Sequence, residues 1–168
     1  VLVRIKIRDK NRIPQAIKAI KEMNRLKAKV GYMSDGDLAM IASVHEYGAR
    51  IKVTDKMRGY LSYHGLHLKK TTTHIVIPER SFMRSGVDLH GEDINHLAES
   101  LLESVLNGDK SPAEYFELLG QELRGKIQEH AIDLNDPINH PYTAEKKGSS
   151  NPLVDNGNLI GSMEVKVE

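Results

Sequence analysis

Residues 111–131 read SPAEYFELLGQELRGKIQEHA and contain the clearest helix start in the chain. Ser111 and Glu114 have the spacing of a capping box, in which each side chain bonds the other residue's backbone, and Pro112 suits the first helical position. Apolar side chains then follow at helical spacing, at Phe116, Leu119, Leu123, Ile127 and Ala131. The pattern predicts an amphipathic helix that ends before Asp136-Pro137.

Helices are also predicted upstream of this stretch. A stripe of apolar residues occupies Ile94, Leu97, Leu101, Leu102, Val105 and Leu106, and Asn107-Gly108 ends it. Residues 81–89 suit a separate short helix or a turn. Residues 13–26 have an apolar stripe opposite a basic one. Residues 38–47 are apolar on nearly every side, so we expect that helix to be buried on most sides.

Strands are predicted where apolar and polar residues alternate, or where β-forming residues are frequent in a short segment. These segments are residues 1–8, 28–33, 50–54, 66–68, 73–77 and 163–167. We expect residues 66–68 and 73–77 to pair as antiparallel strands. Residues 135–158 are rich in Asn, Asp, Pro, Gly and Ser and predict a long loop. The order of elements predicts one α+β domain over residues 1–168, with a mainly antiparallel sheet packed by amphipathic helices.

Composition excludes several classes of protein. The 168 residues include no Cys, which excludes disulfide scaffolds, thiol catalysis and thiolate metal sites. No run of about 18 apolar residues occurs, so we expect no membrane span, and no secretory signal opens the chain. The charge is uneven: residues 1–80 hold 17 Lys and Arg against 7 Asp and Glu, whereas residues 81–168 hold 7 against 16. The net charges of the two halves are thus +10 and −9. They allow contact of the basic side with nucleic acid, or head-to-tail packing of copies with the basic side of one against the acidic side of the next.

Three sets of polar residues are candidates for chemistry. His45-Glu46 lacks a second His four residues after the first, so an end cap of the helix is favoured over a zinc protease site. His64, His67 and His74 have no carboxylate nearby in sequence and fit solvated positions better than a metal site. His130, Asp133, Asp136 and His140 form the most metal-like set, although no known ligand spacing matches them. We therefore expect no metal, no cofactor and no catalytic residue.

Nucleic-acid and nucleotide motifs are sparse. The glycines form neither a dinucleotide nor a phosphate-loop pattern, and no nucleophile elbow occurs. Basic residues of the first strand and helix, with Lys69 and Lys70, suit phosphate contacts. They lack interleaved aromatic residues, so non-specific contact with DNA remains open and base reading is not indicated.

Three segments in order resemble a known family. Residues 42–48 read ASVHEYG, residues 77–84 read IPERSFMR, and residues 152–162 read PLVDNGNLIGS. This trio is similar to the tail-completion and neck proteins of long-tailed bacteriophages, also known as phage virion morphogenesis or tail-component proteins. The chain departs from the pattern at Ser81, where the family commonly has Pro, and at Asn156, where it commonly has Thr.

The resemblance implies a structural virion protein rather than an enzyme. It implies a location at the head–tail junction, reached from the host cytoplasm during assembly, in a ring of copies around the DNA channel. The implied partners are portal-side head connector proteins and the tail terminator or tail tube, with no membrane. The implied interface or structural residues are His45, Glu46, Tyr47, Gly48, Pro78, Arg80, Phe82, Arg84, Asp155, Gly157 and Leu159.

Alternatives remain open at this point. Phe82 with its two flanking arginines has the composition of an interface hot spot, but Phe82 in the protein's own core with Arg80 in an internal ion pair fits equally well. The rival functions are a tail terminator that caps the tube, a metal-dependent hydrolase or nuclease that uses His130, Asp133 and His140, and a basic DNA-binding module.

Overall fold

The computed structural model describes residues 11–168, in which helices connect two pairs of short strands. The helices are α1 (Ile13–Met23), α2 (Gly36–Tyr47), α3 (Asp55–Tyr63), α4 (Phe82–Asn107), α5 (Pro112–Asp133), α6 (Pro141–Lys147) and α7 (Asn158–Gly161). The strands are β1 (Ala28–Gly31), β2 (Ala49–Lys52), β3 (His74–Ile77) and β4 (Glu164–Val167). The strand predicted at residues 1–8 lies outside the described residues.

Helices α4 and α5 form a hairpin that organises the molecule. The capping box at Ser111 and Glu114 is present as predicted. Helix α4 runs unbroken for 26 residues, so the prediction of a separate short element at 81–89 was wrong. Gly86 lies where α4 packs closely on α5, since a Cβ there would lie 3.3 Å from Ile127.

The strands pair in two separate antiparallel sheets. β1 pairs with β4, placing Val30 opposite Val165, and β2 pairs with β3, placing Ile51 opposite Ile75. About 58% of the structure is helix and 10% strand, which confirms the α+β class. The predicted pairing of residues 66–68 with β3 was wrong, since β2 occupies that place. Arg58 donates hydrogen bonds to the carbonyl groups of residues 68, 69 and 72, so those groups serve a turn and not a strand ladder.

The core consists of two clusters on the α4–α5 hairpin. The larger is made of Ala42, Phe82, Ile127, Ala131, Leu153 and Met163, and the smaller of Ala19, Val105 and Tyr115. Helix α5 lies close to the β1–β4 sheet at Gly120, where a Cβ would come within 2.5 Å of Val165. Strand β4 is therefore packed against α5.

The predicted loop at 135–158 contains structure of its own. Helix α6 begins at Pro141, whose ring suits a first turn, and the His140 ring accepts a hydrogen bond from the Tyr142 N–H. Gly148 ends the helix in the left-handed conformation. The long-loop prediction was thus wrong over residues 141–147, where the first-turn proline and the terminal glycine outweigh the loop-like composition.

Helix α2 is less buried than its sequence predicts. Only Ala42 and Glu46 are buried, whereas Met40 is 61% and Tyr47 is 64% exposed. One side of the helix packs on α4 and the other leaves apolar side chains at the surface. None of the helices in residues 11–168 is long and apolar enough to cross a membrane.

Candidate functional site

The three segments that resemble the phage family converge on one region. Ala42, Phe82 and Leu153, one from each segment, are members of the same core cluster. Phe82 is 1% exposed at the first turn of α4. A contiguous unit therefore links the end of α2, the start of α4 and the segment before β4.

Glu46 is the centre of the polar contacts in this unit. Its side chain is buried, and its carboxylate accepts hydrogen bonds from the backbone N–H groups of Met83 at 2.9 Å and Arg84 at 3.0 Å. These are donors of the first turn of α4, which have no partner within the helix. Glu46 thus caps α4 from a different helix, and the helix dipole favours its negative charge.

Arg84 completes the contacts around that carboxylate. Its Nε donates to Glu46 at 2.9 Å, and its Nη2 donates to the Glu46 carbonyl at 2.8 Å and to Glu79 at 2.6 Å. The hydrogen bond to Glu46 is the largest cause that raises the pKa of Arg84, followed by the one to Glu79. The guanidinium lies over the Tyr47 ring, 4.8 Å from its centroid. A cation and an exposed aromatic ring are therefore presented together.

Gly48 allows this close approach. Its φ of 70° lies in the left-handed region, and a Cβ there would be 2.9 Å from the Ile77 carbonyl oxygen and 3.0 Å from the Glu79 nitrogen. No L side chain fits between these backbone atoms without displacement. The glycine that ends α2 is thus required by the strand-to-helix connection at Ile77 to Ser81.

Arg80 lies inside the molecule and holds residues 137–139. It is 4% exposed, and it donates to the carbonyl groups of Pro137 at 2.8 Å and Ile138 at 3.2 Å. It also approaches Asn139 Oδ1 and His45 Nδ1, each at 3.4 Å. Burial, followed by the charges of Arg80 and Lys147, lowers the pKa of His45 to about 4. The imidazole is therefore neutral at pH 7.

The third segment is tied in by contacts that the sequence did not indicate. The Lys147 ammonium donates to the carbonyl groups of Asn151 and Pro152, each at 3.2 Å. The Tyr32 hydroxyl donates to the Leu159 carbonyl at 2.6 Å, and burial raises the pKa of Tyr32 to about 12. Neither residue belongs to a motif, and only the fold brings them to this region.

The predicted residues differ in what they contact. Phe82 lies in the protein's own core. Arg80 donates hydrogen bonds to carbonyl groups and, within residues 11–168, does not form the internal ion pair of the second alternative. Arg84 forms ion pairs with Glu46 and Glu79 instead. Pro78 is half-buried after β3, Leu159 packs against the core, and Asp155 is exposed. Gly157 precedes α7 in the left-handed conformation. Tyr47 is 64% exposed and the Arg84 side chain is 49% exposed, so both are accessible to another molecule.

An apolar groove lies beside these two residues. It has a volume of about 590 Å³ and is lined by parts of α2 and α4, including Ala39, Ser43, Met83, Val87 and Asp88. Tyr47 and Arg84 also line it, and we call it the α2–α4 groove. Its open shape suits a side chain or short segment of another protein better than an enclosed small molecule.

The histidine and aspartate candidates are not gathered into a site. His130 Nε2 lies 2.9 Å from the Ser85 hydroxyl, and His140 caps α6. His67 contacts Ser62 and His74 contacts Thr73. Within residues 11–168, no three His, Asp or Glu side chains lie close enough together to hold a metal ion. The four residues His130, Asp133, Asp136 and His140 therefore do not form one site in the described structure.

Comparisons of the chain with protein-family models, with curated proteins and with solved structures found no match.

Proposed function

We propose that this protein is a structural component of the head–tail junction of a long-tailed bacteriophage, of the tail-completion type. The observation that supports the proposal is the convergence of residues 42–48, 77–84 and 152–162 on one unit, with the α2–α4 groove at its surface. Segments far apart in sequence that resemble one family, and that also build one contiguous unit, are consistent with a shared architecture.

The contacts within the unit favour assembly over catalysis. The Glu46 carboxylate and the Arg80 guanidinium make hydrogen bonds to backbone groups, so they position elements of the fold. Tyr47 with the guanidinium of Arg84 over its ring supplies the residue types that dominate protein–protein hot spots. The apolar groove beside them offers a binding surface, and binding another protein requires no reacting group.

The proposed partners are other virion proteins. Copies of the chain would form a ring around the DNA channel, between the portal-side connector and the tail tube or its terminator. The basic residues of the amino-terminal half would contact passing DNA without sequence preference.

The test is electron microscopy of particles assembled without this protein. We expect filled heads and tails of normal length that fail to join, and infectivity restored when purified protein is added to the extract. Normal infectious virions would refute the proposal. Tails of abnormal length would instead identify the protein as the terminator that stops tube growth.

A further inference from the structure

Arg80 and His45 line a second cavity. It has a volume of about 420 Å³, which is within the range of ligand sites. Its apolar wall comes from the β2–β3 region and the chain around residue 138, and is formed by Leu66, Leu68, Ile75, Ile77, Pro78 and Ile138. The cavity thus offers space for an apolar group a few carbons long.

Arg80 places a positive charge at this cavity. Four of its five N–H groups donate to Pro137, Ile138, Asn139 and His45, and all four acceptors are uncharged. The fifth, on Nη1, has no acceptor among residues 11–168, and no carboxylate of these residues forms an ion pair with Arg80. A guanidinium stays charged in proteins, and a buried charge without a counter-charge is costly. An anion in the cavity would remove that cost.

Two further donors line the same cavity. His45 Nδ1 accepts from Arg80, which assigns the proton of the neutral ring to Nε2. Neither His45 Nε2 nor the Thr143 hydroxyl has a hydrogen-bond partner among the described residues, and both residues line the cavity. Arg80, His45 and Thr143 together supply the kind of donor set that a carboxylate accepts from.

The surrounding charge has one dominant sign. None of the Asp and Glu side chains in residues 11–168 lines the cavity. Lys147 lines the adjacent cavity with His45 and Thr143 and adds a second positive charge, and Asp155 lines that adjacent cavity too, near Lys147. Burial is the largest cause that lowers the pKa of His45, and the charges of Arg80 and Lys147 add to it. The same two charges would attract an anion.

We propose that this cavity binds a carboxylate attached to a short apolar group, with the carboxylate at Arg80, His45 and Thr143 and the apolar group against the β2–β3 wall. The ligand is a free carboxylic acid or the carboxyl terminus of a partner chain that ends in an apolar residue. The inference rests on the cavity alone and stands whether or not the proposed virion function is correct.

Thermal unfolding with matched probes tests the proposal. Hexanoate should raise the Tm in proportion to the logarithm of its concentration above its Kd, by about 3–5 °C at ten times its Kd. Hexylammonium and 1-hexanol, which share the apolar chain but lack the negative charge, should leave the Tm unchanged. No effect of hexanoate, or an equal effect of hexylammonium, would overturn the proposal.

Peptides distinguish the two sources of the carboxylate. Acetyl-Gly-Gly-Leu with a free carboxyl terminus is compared with the same peptide as its amide. A Tm increase with the acid but not the amide supports a partner's carboxyl terminus. An increase with hexanoate only supports a free acid.

A substitution at an exposed lining residue locates the site. Thr143→Glu places a negative charge at the cavity mouth, and Thr143→Gln has the same shape without the charge. Both variants lose the Thr143 hydroxyl and only one adds a negative charge, so we expect Thr143→Glu to bind hexanoate about tenfold or more weakly than Thr143→Gln does. Equal hexanoate affinity in the two variants would refute the assigned location. Since Thr143 lies at the surface of α6, neither variant depends on repacking the core.

Discussion

Glu46 is a buried carboxylate whose partners are all hydrogen-bond donors, so its charge and its shape both matter. In Glu46→Gln, the amide group would place an N–H against the N–H of Met83 or Arg84, and the cap of α4 would lose its charge. We expect the free energy of unfolding to fall by about 2–4 kcal/mol, as for other broken buried charge contacts. Urea unfolding monitored by circular dichroism measures it.

The matched control for this prediction is Glu79→Gln. Glu79 also accepts from Arg84, but its side chain is 55% exposed and it caps no helix. Exposed ion pairs contribute little, so a much smaller change is expected there. Equal effects of the two substitutions would show that Arg84, and not the cap of α4, determines the stability of this region.

His45 predicts a dependence of stability on pH. Its pKa is lowered to about 4 in the folded protein, whereas an unfolded histidine titrates near 6.5. The unfolded state therefore takes up a proton first as the pH falls, and the folded state loses stability between about pH 6.5 and 4. The difference in pKa corresponds to about 3 kcal/mol, which screening at a half-buried ring reduces to about 1–2 kcal/mol.

Unfolding of His45→Asn at pH 7, 6, 5 and 4 measures this contribution. The variant keeps an acceptor for Arg80 and has no titrating group, so we expect a shallower loss of stability than in the parent protein. His96→Gln is the control, because the His96 side chain is 80% exposed and should leave the profile unchanged. Parallel profiles of His45→Asn and the parent would contradict the prediction.

At the scale of elements, residues near each other in sequence predict local structure well. The capping box at Ser111 and the apolar stripe after it predict α5 correctly, because caps and helical spacing involve neighbours within a few residues. The stop at Gly108 is correct for the same reason. The predicted pairing partner of β3 was wrong. Arg58 binds carbonyl groups that lie 10 to 14 residues after it in the chain, and no local sequence pattern indicates these hydrogen bonds.

The candidate site divides in the same way. His45 to Gly48 and Ile77 to Arg84 are recognisable as segments, but the sequence does not say that Glu46 caps α4. That contact depends on two helices meeting 37 residues apart in the chain. Lys147 and Tyr32 have no local signal at all, so their roles come from the fold alone.

Two exposed residues of α4 test whether the α2–α4 groove is a contact surface. Val87 and Leu89 are both exposed apolar residues of α4, at 43% and 65%, but only Val87 lines the groove. We expect Val87→Glu to abolish head–tail joining in an extract, since a charge in an apolar contact is costly to bury, whereas Leu89→Glu should join normally. Circular dichroism verifies that both variants are folded. Equal joining activity of the two variants would exclude the groove as the contact.

At the scale of the whole molecule, the two halves of the chain are interleaved. The β1–β4 pairing joins residues 28–31 to residues 164–167, and α1 packs against α4 and α5. Residues 12–29 hold six Lys and Arg against one Asp or Glu, whereas α4 holds one against five and α5 two against five. The uneven charge of the sequence therefore becomes an acidic hairpin beside a basic helix in one molecule, which does not form two separate domains.

In the proposed ring, this arrangement would allow contacts between unlike charges of neighbouring copies. Glu92 and Glu99 are exposed on α4. A double variant with Gln at both positions removes the two negative charges, and a double variant with Lys at both positions reverses them. Because complementary charge speeds encounter more than it strengthens a complex, the rate of joining should decrease in the order parent, double Gln, double Lys. The differences should shrink as salt is raised above about 150 mM, where exposed charges are screened within about 8 Å. Equal rates in all three proteins at low salt would show that the acidic side of α4 makes no contribution to the proposed contacts between copies.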